Sequence, residues 1–404
     1  MAEPKVRFRR DDGGNFPAWE QGRFGDLIEV YDEKVTSDCT LPVLTSSKTD
    51  GIQYQSDHFG REQLHDITGY NVIPRGYCTY RNRSDGTDFT FNINNLCDRG
   101  IVSKFYPVFH TTARCNLYFL MTLMNNEPKT VRKIAMTAKG TGQKVLSFLD
   151  LQKIEINIPS LEEQQKIADF LSSVDDIITA SEEEVANLET QKKAVMKKIF
   201  SQEVRFKRAD GSDFPEWGRD VLDNFCEYRR GSFPQPYGLE EWYDENEGMP
   251  FIQVADVNDD MSVNPDTKRH ISELAKPMSV FIPKGTLIIT LQGTIGKVAI
   301  TSYDAYVDRT LLLFQKVSDE LLLDYFKYAL FMCFDEEKKT ADGGIIKTIT
   351  KETLGSFVIP LPCIEEQRLI ADFLSNFDEA ISAAKKELEL WKELKKGLLQ
   401  QMFV

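Results

Sequence analysis

The sequence predicts an α+β chain built twice over. Two mixed α/β domains are separated by two long helices that pair as an antiparallel coiled coil, with a pseudo-two-fold internal repeat. Three observations predict this. First, VRFRRDDGGNFPAW from Val6 to Trp19 returns as VRFKRADGSDFPEW from Val204 to Trp217, with nine of fourteen positions identical. Second, SLEEQQKIADFLSSVDDIITA from Ser160 returns as CIEEQRLIADFLSNFDEAISA from Cys363, and nine of eleven positions match from Glu162 and Glu365. Third, each EEQ segment opens an apolar stripe of the same period. Repetition on this scale decides architecture before any single element is read.

Taken in order, the plan is a linker segment at 1–19, a domain at 20–158, a central long helix at 159–202, a linker repeat at 203–217, a second domain at 218–361 and a C-terminal long helix at 362–404. In the first domain, YCTY (77–80), FTFNI (89–93), GIVS (100–103) and YPVF (106–109) read as short strands between turn residues. The stretch CNLYFLMTLMNN reads as a helix. In the second domain, PFIQVADV (250–257), TLIITLQ (286–292), KVAIT (297–301) and YVDRTLLLFQ (306–315) read as strands, followed by a helix near 319–338. Both domains close on a Gly- or Thr-rich loop with lysine and a strand ending in Ile-Pro, which gives each a compact sheet.

Pro159 and Pro362 mark where each long helix has yet to begin. Ser160 with Glu163 forms an S-x-x-E capping box; Cys363 replaces that serine and caps more weakly. The paired glutamates of each first turn suit the positive end of the helix dipole. Beyond them runs Ile167, Leu171, Val174, Ile178, Ser181, Val185, Leu188, Lys192, Val195, Ile199. The second copy runs Ile370, Leu374, Phe377, Ile381, Ala384, Leu388, Trp391, Lys395, Leu398, Met402. Steps that alternate four and three make a coiled-coil seam. A lysine at the same step of both stripes favours the two helices packing on each other. Helices of about 40 residues would be roughly 60 Å long. Run antiparallel, they make the chain a ring of four parts, cut open before Val6.

The bulk composition is that of a globular chain: 41% hydrophobic and 28% charged over 404 residues. No run approaches eighteen apolar residues, and MAEPKVRFRRDD lacks a secretion signal's apolar core. The seven cysteines are widely spaced without a CxxC, which fits a reducing cytoplasm rather than a disulfide framework. A net charge of −14 speaks against nucleic acid, but residues 75–144 carry eleven Lys/Arg against four Asp/Glu.

Candidate recognition residues lie on the loops. In the first domain they are Arg81, Arg83, Lys104, Arg114, Lys139, Thr141, Gln143 and Lys144. In the second they are Arg229, Arg230, Gln292, Thr294, Lys297, Arg309, Lys347 and Thr348. Arg and Lys suit guanine edges or phosphates, and Gln pairs with adenine. Signatures of chemistry are missing. There is no GxxxxGK[ST] loop and no GxGxxG after a strand. Asn264-Pro265-Asp266 is explained by turn chemistry, and Asp335-Glu336-Glu337-Lys338 by a solvated charge run. The histidines 58, 65, 110 and 270 show no metal spacing.

The motifs Pro-x-x-Glu-Glu-Gln with Ile-Ala-Asp-Phe-Leu at 159–171 and 362–374, GTLIITLQGTIGKVAI (285–300) and the VRF…FPxW linkers resemble the specificity subunit of Type I DNA restriction–modification systems. The resemblance covers nearly the whole chain. It implies two target recognition domains, each reading half of a split double-stranded DNA sequence. It also implies two methyltransferase (M) subunits on the helices and restriction/translocase (R) subunits joining them. S-adenosylmethionine, ATP and Mg would bind those partners, this chain holding no cofactor, metal or catalytic residue. Two-fold-related readers need half-sites about one helical turn apart, ~34 Å, which a rigid helical spacer would fix. Two other readings compete: a non-catalytic coiled-coil scaffold with two protein-binding domains, and a methyltransferase or nuclease with cryptic motifs.

Overall fold

The computed structural model describes residues 4–60, 66–340 and 349–403. The chain folds as two compact units, Met1–Glu182 with Lys386–Val404 and Glu183–Lys385, so each unit holds part of both long helices. Those helices span Leu161–Phe200 and Ile364–Met402. They begin two residues beyond Pro159 and Pro362.

In the first unit, strand Glu20–Arg23 pairs antiparallel with Glu155–Ile158 and so ties the start of the domain to its end. Between them lies a four-stranded antiparallel sheet in the order Ile28–Val30, Val108–Thr111, Cys78–Tyr80, Phe91–Ile93. Three two-stranded ribbons surround it. Helix Leu117–Asn126 starts where the Asn116 side chain accepts from Phe119 N. A second helix, Pro128–Thr137, follows at once. The sequence reading had only the helix over CNLYFLMTLMNN, which ends before Pro128. Pro128 occupies the first helical position, where its missing N–H costs nothing, and the Glu127 carboxylate caps the helix. Phe24, Leu27, Tyr80, Phe91, Phe109 and Phe119 form the core, together with Ile167 and Leu171 of the first long helix and Leu399, Met402 and Phe403 of the second.

In the second unit, strand Gly218–Val221 pairs antiparallel with Val358–Leu361 in the same way. The predicted single sheet is here two four-stranded sheets. One is ordered Cys226–Arg230, Leu311–Val317, Leu287–Thr290, Val298–Ile300. The other is ordered Arg269–Ile271, Met249–Ile252, Ala305–Val307, Val280–Ile282. PFIQVADV is a strand only to Ile252. The Asp256 carboxylate accepts Gln253 N at 2.9 Å and closes a 3₁₀ turn over Val254–Asp256. Helix Leu323–Thr340 packs against this framework through Tyr325, Phe326, Leu330 and Phe334.

The long helices pack together along the predicted stripe. In the first unit Ile167, Leu171, Val174 and Leu388 are buried, with Ile178 and Trp391 half-buried. In the second, Ile370, Leu374 and Ile381 are buried, with Val185, Leu188 and Phe377 half-buried. The direction is antiparallel in each unit. Asp175 and Glu182 meet Lys395 and Lys392 at 2.5 and 3.0 Å in the first. Glu189 and Lys192 meet Lys385 and Asp378 in the second.

Candidate nucleic-acid interface

Most of the basic loop residues of the first domain are gathered by one ribbon. Lys144–Val145 pairs with Arg83–Ser84, so the Gly-rich loop folds back over the segment that carries Arg81 and Arg83. Asn82 N donates to Phe105 O at 3.1 Å, which brings the turn with Lys104 alongside. The Arg83 guanidinium sits 4.2 Å from the centre of the Phe105 ring, and Lys104 Nζ lies 5.6 Å from it. Gln143 Nε2 donates to Asp85 at 3.3 Å. Thr141 is exposed at the loop tip.

Arg114 falls outside this group, and Lys139, which bridges to Val145 on the same ribbon, has its side chain committed. Lys139 is ion-paired to Asp150 at 3.1 Å, and that hydrogen bond holds the Asp150 carboxyl below the usual carboxylate range. Arg114 lies at the start of the first long helix, where its carbonyl accepts from Gln164 Nε2 at 3.1 Å.

In the second domain the ends of three paired strands converge. Arg230 ends Cys226–Arg230 opposite Leu312, and Leu291 N donates to Thr310 O at 2.8 Å. Arg230, Arg309 and Gln292 thus share one end of the sheet. Gly231 is required there, since a Cβ would lie 2.3 Å from Val307 O and 2.4 Å from Asp308 O. Arg309 lies over the Tyr237 ring at 5.5 Å.

Tyr237 itself was not found by sequence reasoning. Its hydroxyl donates to Asp308 Oδ2 at 3.1 Å and accepts from Gln253 Nε2 at 2.8 Å. Arg229 Nε donates to the Arg230 carbonyl at 3.3 Å. Thr294 is exposed, with its carbonyl accepting from Thr290 Oγ1 at 2.5 Å. Lys297 is engaged by Asp259 at 3.0 Å and by Val257 O at 3.2 Å. Lys347 and Thr348 lie outside the described residues.

The repeated motifs build the frame beneath these surfaces. Arg7 binds Glu163 with both arms of its guanidinium, at 3.0 and 2.8 Å, and reaches Pro17 O at 2.5 Å. Arg205 binds Glu366 at 3.2 and 2.9 Å and reaches Pro215 O at 2.6 Å. Both glutamates are fully buried. Gln164 accepts Asn116 N and donates to Pro159 O; Gln367 accepts Leu322 N and donates to Pro362 O. EEQ therefore has divided duties. The second glutamate clasps the arm, and the glutamine fixes the helix of the neighbouring domain.

Val6 N donates to Gln401 O at 3.1 Å, as Val204 N donates to Lys198 O at 3.1 Å. The start of the chain thus joins the end of the second long helix as the linker repeat joins the end of the first. Among the described residues no three His, Cys, Asp or Glu side chains converge as a metal site. Among them, too, no helix is long and apolar enough to cross a membrane.

Comparison with known proteins agrees with this construction. The crystal structure of a Type I restriction–modification S subunit from M. genitalium superposes with a TM-score of 0.60 at 15% identity, covering 100% of this chain and 99% of that one. A chain from a study of complex assembly and conformational transition of the type I R-M system gives 0.58 at 19% identity, covering 96% and 98%. At these identities the likeness is one of fold. Among curated proteins, the putative type I restriction enzyme MjaX specificity subunit of Methanocaldococcus jannaschii is 28% identical over 287 residues, 70% of this chain and 66% of that protein. The MjaVIII specificity subunit of the same organism is 27% identical over 279 residues, 65% of this chain and 64% of that protein. The matched stretches thus span just under two thirds of those relatives' own length. The family model described as Type I restriction modification DNA specificity domain matches residues 91–190 and 216–390. That is well over half of the chain, and the match falls on both repeats: the chain belongs to the family of Type I restriction modification DNA specificity domains.

Proposed function

We propose that this chain is the DNA-reading subunit of a Type I restriction–modification complex. The target recognition domains at 20–158 and 218–361 each read one half of a bipartite double-stranded site. The long helices space the domains and dock two methyltransferase subunits, to which restriction subunits are added. Methyl transfer and ATP-driven steps belong to those partners, with S-adenosylmethionine, ATP and Mg bound there.

One observation carries the reading: a single frame supports two unlike surfaces. The Arg7–Glu163 and Arg205–Glu366 clasps repeat almost atom for atom. The sheets they carry differ in strand order and number. A frame that holds still while its two surfaces diverge suits a reader of two different half-sites. An overall charge of −14 is compatible with this, because a reader can leave much of the phosphate contact to its partners.

The test is a domain exchange. Residues 20–158 are replaced by the corresponding segment of a relative, the complete system is expressed in a host, and methylated positions are mapped across the genome. One half of the target should change while the other half and the gap stay as they were. A change in both halves, or in neither, would overturn the proposal.

A further inference from the structure

Each domain carries one arginine in the same unusual setting. Arg83 and Arg309 are exposed, have the guanidinium over an aromatic ring at 4.2 and 5.5 Å from its centre, and have no carboxylate within ion-pair distance among the described residues. Lys104 over Phe105 and Lys351 over Tyr228 are also without an ion pair among the described residues, but a lysine has no fork to orient; the other ring-seated arginine and a buried lysine of the two domains are committed. Arg269 lies 3.7 Å over Tyr243 but is held by Glu245 at 3.1 Å. Lys327 lies over Tyr328 and faces Asp378 at 3.9 Å. The basic loop residues Lys139 and Lys297 are likewise neutralised, by Asp150 and Asp259.

The seats are built, not incidental. Tyr237 is anchored to Asp308, which is 1% exposed and also accepts Thr310 N at 2.8 Å and Thr310 Oγ1 at 2.6 Å. Phe105 is tied to the Arg83 segment through Asn82 N, and the Asn82 carbonyl accepts Leu146 N at 2.9 Å. Tyr80 Oη then donates to Leu146 O at 3.1 Å from inside the core. A guanidinium seated over a fixed ring is already restricted and loses less freedom when its fork engages a ligand. That fork matches the O6/N7 edge of guanine, the commonest specific contact in the major groove. Phosphate contact needs no such orientation, and Lys104, Lys144 and Arg230, without an ion pair among the described residues, stand nearby to supply it.

We infer that Arg83 and Arg309 are the guanine-reading residues of the two domains, one for each half of the target. This rests on the DNA-reading role proposed above. Each half-site then contains a G·C pair whose identity depends on one arginine.

The complete system is expressed in a host with the wild-type chain or with R83K, R83A, R309K or R309A. Its base preference at every target position is measured from mapped methylation and from competition binding on randomised duplexes. R83K and R83A should each relax one G·C position of one half by at least about tenfold; R309K and R309A should do so in the other half. Neither arginine should affect the opposite half. Three results overturn the inference: unchanged preferences, a uniform loss of affinity with a shallower salt dependence, or complete loss of binding in a lysine variant, which keeps the charge that a phosphate needs. If the wild-type system marks no bipartite site at all, it is the DNA-reading role that fails, and the two failures are told apart by that control.

Discussion

Lys192 on the first long helix is ion-paired with Asp378 on the second, and Tyr328 donates its hydroxyl to the same carboxylate at 2.5 Å. The first unit repeats the group with Lys395, Asp175 and Tyr118. Both lysines occupy the same step of a largely apolar stripe. A polar residue in a helix seam costs stability and fixes register, because any slip leaves a charge unpaired. The Lys192 and Asp378 side chains are only 11% and 21% exposed, against 41% and 49% for Lys385 and Glu189. Double-mutant cycles with K192M and D378N should therefore give a coupling of about 1–3 kcal/mol by urea unfolding. The Lys385–Glu189 cycle should give less than ~0.5 kcal/mol. Equal couplings would remove the register role.

The two arm clasps differ at the tryptophan, besides an ion pair that Arg205 makes with Glu216 at 3.6 Å. Trp217 Nε1 donates to Glu366 Oε2 at 2.9 Å, whereas the buried Trp19 Nε1 has no partner among the described residues. W217F and W19F remove the same volume from equivalent sites, so their difference isolates that bond. W217F should be more destabilising than W19F by about 1.5–3 kcal/mol, the value of a hydrogen bond to a charged group. Thermal and denaturant unfolding of the two variants measures it, and matching losses would contradict the geometry.

The seam was legible because a step of 3.5 survives any change in side-chain detail, and because lysine recurs at one step of both copies. The EEQ motif was legible as a helix start but not as a clasp. Glu162 and Glu365 are exposed in the first turn, as a dipole argument expects, while Glu163 and Glu366 turn inward to arginines 156 and 161 residues distant. The signal was present, since Arg7 and Arg205 recur with the second glutamate in both copies. In the recognition surfaces, sequence offered Lys139 and Lys297 on the same footing as Arg83 and Arg309. Only folding brings Asp150 and Asp259 up to neutralise the lysines. Tyr237 was missed for the same reason, as its anchor Asp308 lies 71 residues away.

Gly231 sets the position of Arg230. A side chain there would press on the backbone carbonyls of Val307 and Asp308, which cannot rotate out of the way as a long side chain could. G231A should lower stability by about 1–3 kcal/mol and weaken reading of the second half-site alone. Gly86 provides the control, because nothing lies within 4 Å of its Cβ position. G86A should stay within ~0.5 kcal/mol of wild type. Melting temperature and the mapped target report the two effects separately.

The ring that seats Arg309 also reports on its anchor. Burial first, and then the charge of Asp308, push the Tyr237 phenol from its ordinary value of 10.0 up to about 12. The folded state therefore holds this proton more tightly than the unfolded chain. The stability it contributes is complete below about pH 10 and is lost as pH rises through about 12. Unfolding free energy measured from pH 9 upward should thus fall less steeply in Y237F than in wild type between those limits. At pH 7 the variant should differ by only about 1 kcal/mol, the lost hydroxyl bonds, and its ring should still carry Arg309. Identical alkaline slopes for the two proteins would mean that Tyr237 is not held by Asp308 in solution. The seat would then be loose, and Arg309 would have to be oriented by the DNA itself.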